Sequence, residues 1–256
     1  YFLMKKSFGR VVNEVIEQSD VVLEIVDARF VAEMRNQYIE EKIRQKKKIR
    51  IMVVNKSDYL NQDDMRLLRK TLKDAVFVSS TKRIGIAYLF SVLKKKKKQL
   101  KMSEIVVGVI GYPNVGKSSL INALKGKRSA RTSPEAGFTK GKQYLRIAKD
   151  LFMIDTPGVM AIAKKHEGEL TILGAKNPAV LADPDLAVLQ LLTLYPHTIE
   201  KHYGVASFHN KEKIIEAIAL KYNMKIKNGM PDIERTSQKI LRDWQKGKIK
   251  ATYHSD

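Results

Sequence analysis

A glycine-rich stretch from Gly111 to Ser118, with the sequence GYPNVGKS, has the residue types and spacing of a phosphate-binding loop. It matches the pattern G-x-x-x-x-G-K-[S/T] at every fixed position. Glycine lets backbone amides approach phosphate oxygens closely, and the positive end of a following helix favours the same anions. Lys117 would bridge the outer phosphates of a nucleoside triphosphate, and Ser118 would bind its magnesium ion. The other candidate phosphate contacts are Asn114, Val115, Gly116 and Ser119.

A second motif, NKSD at residues 55–58, carries chemistry suited to guanine. The two oxygens of Asp58 can accept hydrogen bonds from the ring imino group and the exocyclic amino group of guanine, and adenine lacks this pair of donors. Asn55 would bond the base and brace neighbouring loops, while the stem of Lys56 would cover the ring. Ser79 and Ser80, which follow a later apolar run, would give a backbone contact to the guanine oxygen. An ATP site is the weaker alternative.

A third group of residues would sense the terminal phosphate. Asp155 opens a D-x-x-G sequence after an apolar run and would hold magnesium, directly or through water, while the amide of Gly158 would contact the phosphate. Thr139 is the candidate switch threonine and a further magnesium ligand, and a plain loop hydroxyl is the alternative. Val159 stands where many GTPases carry a water-orienting glutamine, which predicts slow hydrolysis. The candidate catalytic residues are Lys117, Asn114, Thr139 and Gly158.

Strands that alternate with helices must position these motifs. Apolar runs predict strands near 21–26, 49–54, 76–78, 105–110, 143–148 and 151–154. Helical patterns lie near 8–18, 36–47 and 61–74 and begin again at about 84. This alternation predicts a doubly wound, mostly parallel α/β sheet. Each motif follows a strand, and the carboxyl ends of the strands form the ligand-binding edge of such a sheet.

The order of the motifs is the reverse of that in an ordinary GTPase, where the phosphate loop precedes the guanine motif. Joining the old termini and cutting between two loops leaves such a sheet intact, because chain termini usually lie close together at the surface. The sequence therefore predicts a circularly permuted P-loop GTPase domain over residues 1–160, with Lys94 to Lys101 as the joining linker. Helical spacing at 184–194, 209–222 and 233–246 predicts a small all-helical, RNA-binding domain over residues 161–256.

The charge balance points to a polyanionic partner. The chain has 256 residues, with 48 Lys and Arg against 27 Asp and Glu, and a formal net charge of +21. Positive charges in such excess repel one another unless a polyanion neutralises them, which favours RNA as the partner, with an acidic membrane surface second. The alternative explanation of the charge is a lysine-rich composition typical of a heat-loving organism. The absence of cysteine excludes disulfides and thiolate metal sites. The sequence contains no apolar run of the ~18 residues of a membrane span, so we expect a soluble protein, cytoplasmic or, in a eukaryote, nuclear or nucleolar.

A cationic stripe is predicted on the last helix. Its members recur at helical spacing and are Arg235, Lys239, Arg242 and Lys246. The apolar face of the same helix includes Trp244, which we expect in the core. The surplus of positive charge favours contact between the stripe and RNA phosphates, and a solvated helix face is the alternative.

These motifs, in this order and preceded by Asp27-Ala28-Arg29, resemble the circularly permuted GTPases of the YlqF and nucleostemin group. The resemblance covers nearly the whole chain. It implies binding of GTP, GDP and magnesium, GTP hydrolysis, and a role in assembly of the large ribosomal subunit. The expected partner is ribosomal RNA or a subunit precursor, with a monomer off the ribosome. Two positions depart from the family: Val31 replaces a usual proline, and residues 3–5 lack the histidine thought to assist hydrolysis in bacterial members, so that histidine mechanism is not carried over.

Asn114 adds a further implication of the resemblance. In GTPases with this loop asparagine, the residue resembles a potassium ligand, and the ion supplies the charge that an arginine finger supplies elsewhere. Two classes of function are left open. The first is a GTPase switch that docks on ribosomal RNA and leaves after hydrolysis. The second is a GTP-gated binding module for transfer RNA or a membrane surface. In either case only a few residues of chain join Gly158 to the helical domain. Contacts between Gly158 and the terminal phosphate could therefore change the position of that domain.

Overall fold

A six-stranded sheet forms the centre of the first part of the molecule. The computed structural model describes residues 2–126, 144–154 and 167–250, without the side chains of residues 2–9. The strands are β1 (Val21–Asp27), β2 (Ile49–Asn55), β3 (Val76–Phe77), β4 (Ile105–Gly111), β5 (Tyr144–Ala148) and β6 (Leu151–Ile154). Their order is β3-β2-β1-β4-β6-β5. All neighbours are parallel except β5 and β6. The predicted mostly parallel α/β fold is therefore confirmed.

The apolar runs of the sequence explain the centre of this sheet. Every residue of β1 is buried, as expected of a parallel strand that is covered on both faces. Among the described residues up to Ile154, the helices that accompany the strands are α1 (Phe2–Gln18), α2 (Val31–Met34), α3 (Gln37–Gln45), α4 (Gln62–Thr71), α5 (Ile86–Leu100) and α6 (Lys117–Lys125). The departure at Val31 is accommodated, because this residue is the first of α2, a position that tolerates proline but does not require it.

The predicted linker from Lys94 to Lys101 is wrong for most of its length, because α5 continues to Leu100. The helix buries Ile86, Leu89 and Leu93 on one face, and no glycine or proline interrupts it. Lys97 pairs with Asp150 next to β6, which adds a tertiary contact near the helix end. Lys101 then adopts a left-handed conformation that ends the helix. Only residues 101–104 connect α5 to β4.

The chain divides into two compact units: Tyr1–Asp58 with Leu68–Ala163, and Tyr59–Leu67 with Lys164–Asp256. The second unit thus takes a short segment, Tyr59–Leu67, from the range predicted for the first domain. Its helices are α7 (Glu167–Ile172), α8 (Pro184–Leu194), α9 (Thr198–Tyr203), α10 (Glu212–Lys221) and α11 (Ile233–Gln245). Across residues 167–250 the only sheet-like pairing described is an isolated bridge between Lys225 and Pro231.

Trp244 lies in the core of the second unit, as predicted. Its side chain is fully buried, and its ring centroid lies 4.8 Å from that of Tyr195. Its indole Nε1 donates to the carbonyl oxygen of Ile172 at 3.1 Å. This bond satisfies the only polar atom of a large buried side chain and ties α11 to the end of α7. None of the described helices has both the length and the apolarity that a membrane crossing requires.

Candidate guanine-nucleotide site

The carboxyl ends of the parallel strands bring the separated motifs to one edge of the sheet. Asp27 at the end of β1 is in register with Asn55 at the end of β2, and Ile25 is in register with Gly111 at the end of β4. β3 pairs with β2 through Val54 and Phe77 and leads into Ser79-Ser80. The guanine motif, the serine loop and the phosphate loop therefore meet although they are far apart in sequence.

The phosphate loop is shaped by glycine. Gly116 has a φ of +95°, and a Cβ at this position would lie 2.4 Å from Nδ2 of Asn55. Both the backbone conformation and the space therefore require glycine. Gly116 also caps the amino end of α6, where the first amides of a helix have no intrahelical partner. Lys117, Ser118 and Ser119 begin that helix, so their amides and the positive end of α6 are available to phosphate.

The ammonium of Lys117 is held inside the loop. Its Nζ donates to the carbonyl oxygens of Gly111 and Tyr112, at 2.7 Å each. Burial lowers the pKa of Lys117 to about 8, because a low-dielectric surrounding disfavours the charged form. An anionic phosphate would reverse this effect. The lysine is therefore placed to neutralise charge at the loop.

Asn55 joins the three loops of the site. Its Nδ2 donates to the carbonyl oxygen of Val115 in the phosphate loop at 2.7 Å. Its Oδ1 accepts from the backbone amide of Ser80 at 3.1 Å and from the Ser80 hydroxyl at 2.9 Å. The side chain is buried, where hydrogen bonds must be satisfied within the protein. Asn55 thus sets the spacing between the guanine motif and the phosphate loop.

The rest of the guanine motif lies beside Asn55. Lys56 has a φ of +58°, and its Nζ lies 2.9 Å from Oδ2 of Asp27. Asp58 is largely buried and forms an ion pair with Lys82 at 3.5 Å. The amide of Ser57 donates to the carbonyl oxygen of Val78 at 3.1 Å, which fixes the motif against the end of β3.

Asp27 and Arg29 form a buried ion pair next to Lys56 that the sequence motifs did not predict. Asp27 and Arg29 were noted only as part of the family resemblance, yet neither side chain is exposed to solvent. Burial raises the pKa of Asp27, but Arg29 and Lys56 outweigh this effect and lower it to about 2. Charged residues are rarely buried without a partner. A useful sequence signal was the D-x-R pattern at the end of an apolar strand.

Of the predicted magnesium ligands, Ser118 alone lies within the described residues. Thr139, Asp155 and Gly158, as well as Val159, lie outside the described residues. Ser118 is described, and its exposed side chain stands at the first turn of α6. A hydroxyl oxygen beside a phosphate loop fits magnesium, which prefers oxygen ligands and is usually shared with substrate phosphates. Within the described ranges, no group of three or more His, Asp or Glu residues is arranged to hold a metal by itself.

The cationic stripe on α11 is only partly exposed to solvent. Arg235, Arg242 and Lys246 are exposed. Lys239 is instead half-buried, with its Nζ 2.6 Å from Oδ2 of Asp243 and near the rings of Tyr203 and Tyr222. The hydroxyl of Tyr203 also donates to Asp243 at 2.9 Å. Lys239 therefore has a structural role that the helical spacing did not reveal.

Comparison with known proteins identifies the family of the chain. The RsgA GTPase family model matches residues 4–164, which is more than half of the chain. A second model, described as 50S ribosome-binding GTPase, matches residues 106–224. Two solved structures of YlqF, a GNP-bound one from T. maritima and a GDP-bound one, match with TM-scores of 0.65 and 0.66. They are 22% and 21% identical, cover 94% and 96% of this chain and 94% and 98% of the YlqF chains, and support the fold alone.

Curated relatives of the chain are also named as GTP-binding proteins or GTPases. An uncharacterized GTP-binding protein of Methanocaldococcus jannaschii is 37% identical and covers 94% of this chain. Nuclear/nucleolar GTPase 2 of Arabidopsis thaliana is 30% identical and covers 92%. The chain spans 65% and 42% of the lengths of these two relatives. Its motif order, its fold and these matches show that the chain belongs to the RsgA GTPase family, as a circularly permuted GTPase like YlqF and nucleostemin.

Proposed function

We propose that the chain binds GTP and GDP, hydrolyses GTP slowly, and uses this cycle to control its association with ribosomal RNA during assembly of the large ribosomal subunit. The observation that carries the nucleotide part is the set of bonds made by Asn55. These bonds hold the guanine motif and the phosphate loop at one sheet edge, where a single nucleotide can contact both.

The described residues divide the work on the nucleotide. Asp58 would accept hydrogen bonds from guanine, while Ser80 would offer its backbone near the guanine oxygen. Lys117 and the first amides of α6 would bind the phosphates and stabilise the charge that develops on them during transfer. Ser118 would hold magnesium, which would supply positive charge to the phosphates. Thr139, Asp155 and Gly158 remain predicted members of this group.

Potassium should accelerate hydrolysis if Asn114 helps to bind the ion. Asn114 is exposed in the phosphate loop and adopts a positive φ of 59°. We expect GTP turnover to rise roughly tenfold or more when potassium replaces sodium at constant ionic strength, because the ion adds positive charge near the transferred phosphoryl group. Phosphate release measured in both salts, with Asn114→Ala as the comparison, tests this. Equal rates in the two salts would remove the potassium proposal and leave GTP binding unaffected.

Several findings support ribosomal RNA as the partner. One matching family model is described as 50S ribosome-binding GTPase, and relatives are named nucleolar GTP-binding protein 2 and nuclear/nucleolar GTPase 2. The net charge of +21 favours a polyanion. We therefore propose that Arg235, Arg242 and Lys246 contact RNA phosphates, in the cytoplasm or, in a eukaryote, in the nucleolus. A membrane surface or transfer RNA as partner is the competing proposal.

Co-sedimentation tests the partner and the switch together. With a non-hydrolysable GTP analogue the protein should sediment with large ribosomal subunits or their precursors, and with GDP it should be released. Binding should weaken with salt, with log affinity falling by roughly 0.7–0.9 per neutralised phosphate per log unit of salt. Equal sedimentation with GDP and the analogue would contradict the switch. Equal binding to transfer RNA or anionic vesicles would favour the competing proposal.

A variant in which glutamine replaces Arg235, Arg242 and Lys246 tests whether these residues bind subunits directly or only through the net charge of the protein. It should bind subunits less tightly and with a flatter salt dependence, while its affinity for GDP is unchanged. The matched control replaces Lys94, Lys95 and Lys98, three exposed lysines on α5, and removes the same charge. Equal losses in the two variants would show that only net charge matters. Lys239 is left in place because its replacement would leave Asp243 without one of its cationic partners.

A further inference from the structure

We infer that Asp27 and Arg29 are positioning residues for the guanine base, acting through Lys56. This inference rests on the proposed nucleotide site and adds to it a second layer of residues that do not touch the ligand. It concerns affinity for the base and not the chemistry at the phosphates.

The three side chains form a continuous charged network. Arg29 binds Asp27 with two nitrogens, Nε to Oδ1 at 3.0 Å and Nη2 to Oδ2 at 2.8 Å. The backbone amide of Arg29 adds a third bond to Oδ1 at 3.1 Å. Lys56 Nζ approaches Oδ2 of the same carboxylate at 2.9 Å. Because the bidentate contact fixes the plane of the carboxylate, it also fixes where the lysine ammonium can sit.

Stability alone is a poor reason for this arrangement. A buried ion pair is often no more stabilising than apolar residues of similar volume, because both charges lose their hydration. Asp27 and Arg29 have no solvent exposure, and Val26 and Ala28 beside them are buried apolar residues. A charged pair in this setting is explained by the direction it imposes on Lys56, the one member of the network that retains some exposure.

Lys56 needs such a restraint to serve the base. Its side chain has four rotatable bonds, and ordering them on binding costs conformational entropy. An ammonium held by Asp27 orders the stem in advance, which lowers that cost. The positive φ of Lys56 shows that the backbone of this residue is already held in a conformation that non-glycine residues seldom adopt. Backbone and ammonium together therefore align the stem that would cover the guanine ring.

The experiment compares three variants: Asp27→Asn, Lys56→Met and the double variant. Methionine keeps an apolar stem and removes the charge. Each single change should raise the Kd for fluorescent GDP roughly 10- to 100-fold, the range expected for losing a charged hydrogen bond. The double variant should be no weaker than the weaker single variant, because both changes interrupt the same interaction. The Ki of tripolyphosphate, which has no base, should be the same in the parent protein and in all three variants.

Glu24→Gln is the matched control. Glu24 lies three residues earlier on β1, is equally buried, and pairs with Arg50 instead of with the site. It should lower the urea midpoint but leave the Kd for GDP within about twofold, since no described contact joins it to the guanine motif. A rise in Kd matching that of Asp27→Asn would mean that general destabilisation explains the effect and would overturn the inference.

The outcomes separate this inference from the nucleotide site itself. If the parent protein does not bind fluorescent GDP, the assignment of the guanine site fails. If it binds but Lys56→Met leaves the Kd for GDP unchanged, the anchored ammonium is not needed and the positioning role fails. If Lys56→Met weakens binding but Asp27→Asn does not, or if the two effects add in the double variant, only the positioning role fails. Should Asp27→Asn not fold, Arg29→Lys replaces it. That variant keeps the charge but loses the bidentate contact, and an unchanged Kd would then overturn the inference.

Discussion

Asp58→Asn is expected to convert the site from guanine to xanthine nucleotides. The carboxylate matches the paired donors of guanine, and an amide instead offers one donor to the oxygen that xanthine carries in place of the amino group. A site built to bond a polar group rejects a mismatched ligand by on the order of 10⁴-fold. Displacement of fluorescent GDP by GTP, XTP and ATP measures the change, which should appear as a gain for XTP and a loss for GTP.

The control for this substitution is Asp63→Asn, an exposed carboxylate on α4 that pairs with Arg66. It should leave the ranking of the three nucleotides unchanged. Loss of the charge opposite Lys82 is not expected to unfold the protein, because that lysine is mostly exposed and such pairs contribute little. If ATP competes as well as GTP in the parent protein, Asp58 does not read guanine and the assignment is wrong.

Lys117→Met should reduce GTP hydrolysis by on the order of 10²- to 10³-fold, the usual effect of removing one donor from a developing negative charge. The ammonium is already held at the loop by two carbonyl oxygens, so the change deletes a preorganised charge. Single-turnover phosphate release measures this loss. Lys95→Met, which removes an exposed lysine from α5, is the control and should retain the parent rate. A rate within threefold of the parent would contradict the role of Lys117.

The same lysine predicts a pH dependence for binding. Burial lowers the pKa of Lys117 to about 8, whereas bound phosphates favour the protonated form and raise that pKa. Below pH 8 the lysine is protonated with or without nucleotide, so affinity is flat. Above pH 8 binding must take up a proton, and GTP affinity should fall by up to tenfold per pH unit. In Lys117→Met this dependence should vanish, and an unchanged slope would assign it to another group.

Local patterns predicted the parts of the fold that depend on local chemistry. The phosphate loop could be recognised because Gly111, Gly116 and Lys117 have fixed spacing, and the central strands because they are continuous apolar runs. Residues that depend on distant partners were less accessible. Asp27 and Lys56 are separated in the sequence by α2, α3 and β2, so their contact follows only from the parallel register of β1 and β2.

Charged surface residues were the least predictable. Lys239 has the spacing of an exposed stripe, yet the carboxylate of Asp243 and two tyrosine rings hold it. Lys97 lies in a run of five lysines but is paired with Asp150, which is 53 positions away in the sequence. Helical spacing gives the direction of a side chain and says nothing about the neighbour it meets. Identifying such partners requires the packed structure.

The hydrogen bonds made by Asn55 have a consequence for how the protein folds while it is being synthesised. Asn55 and its acceptor at Val115 are 60 residues apart in the sequence, and β1 is paired on one side with β2 and on the other with β4. During synthesis the part of the chain with the guanine motif therefore emerges before the part with the phosphate loop. Strand β1 can pair with β2 at that stage, but it gains its second neighbour only when β4 has emerged. Long-range pairing of this kind slows folding. The nascent chain should thus acquire nucleotide binding late, after β4 and α6 have left the exit tunnel.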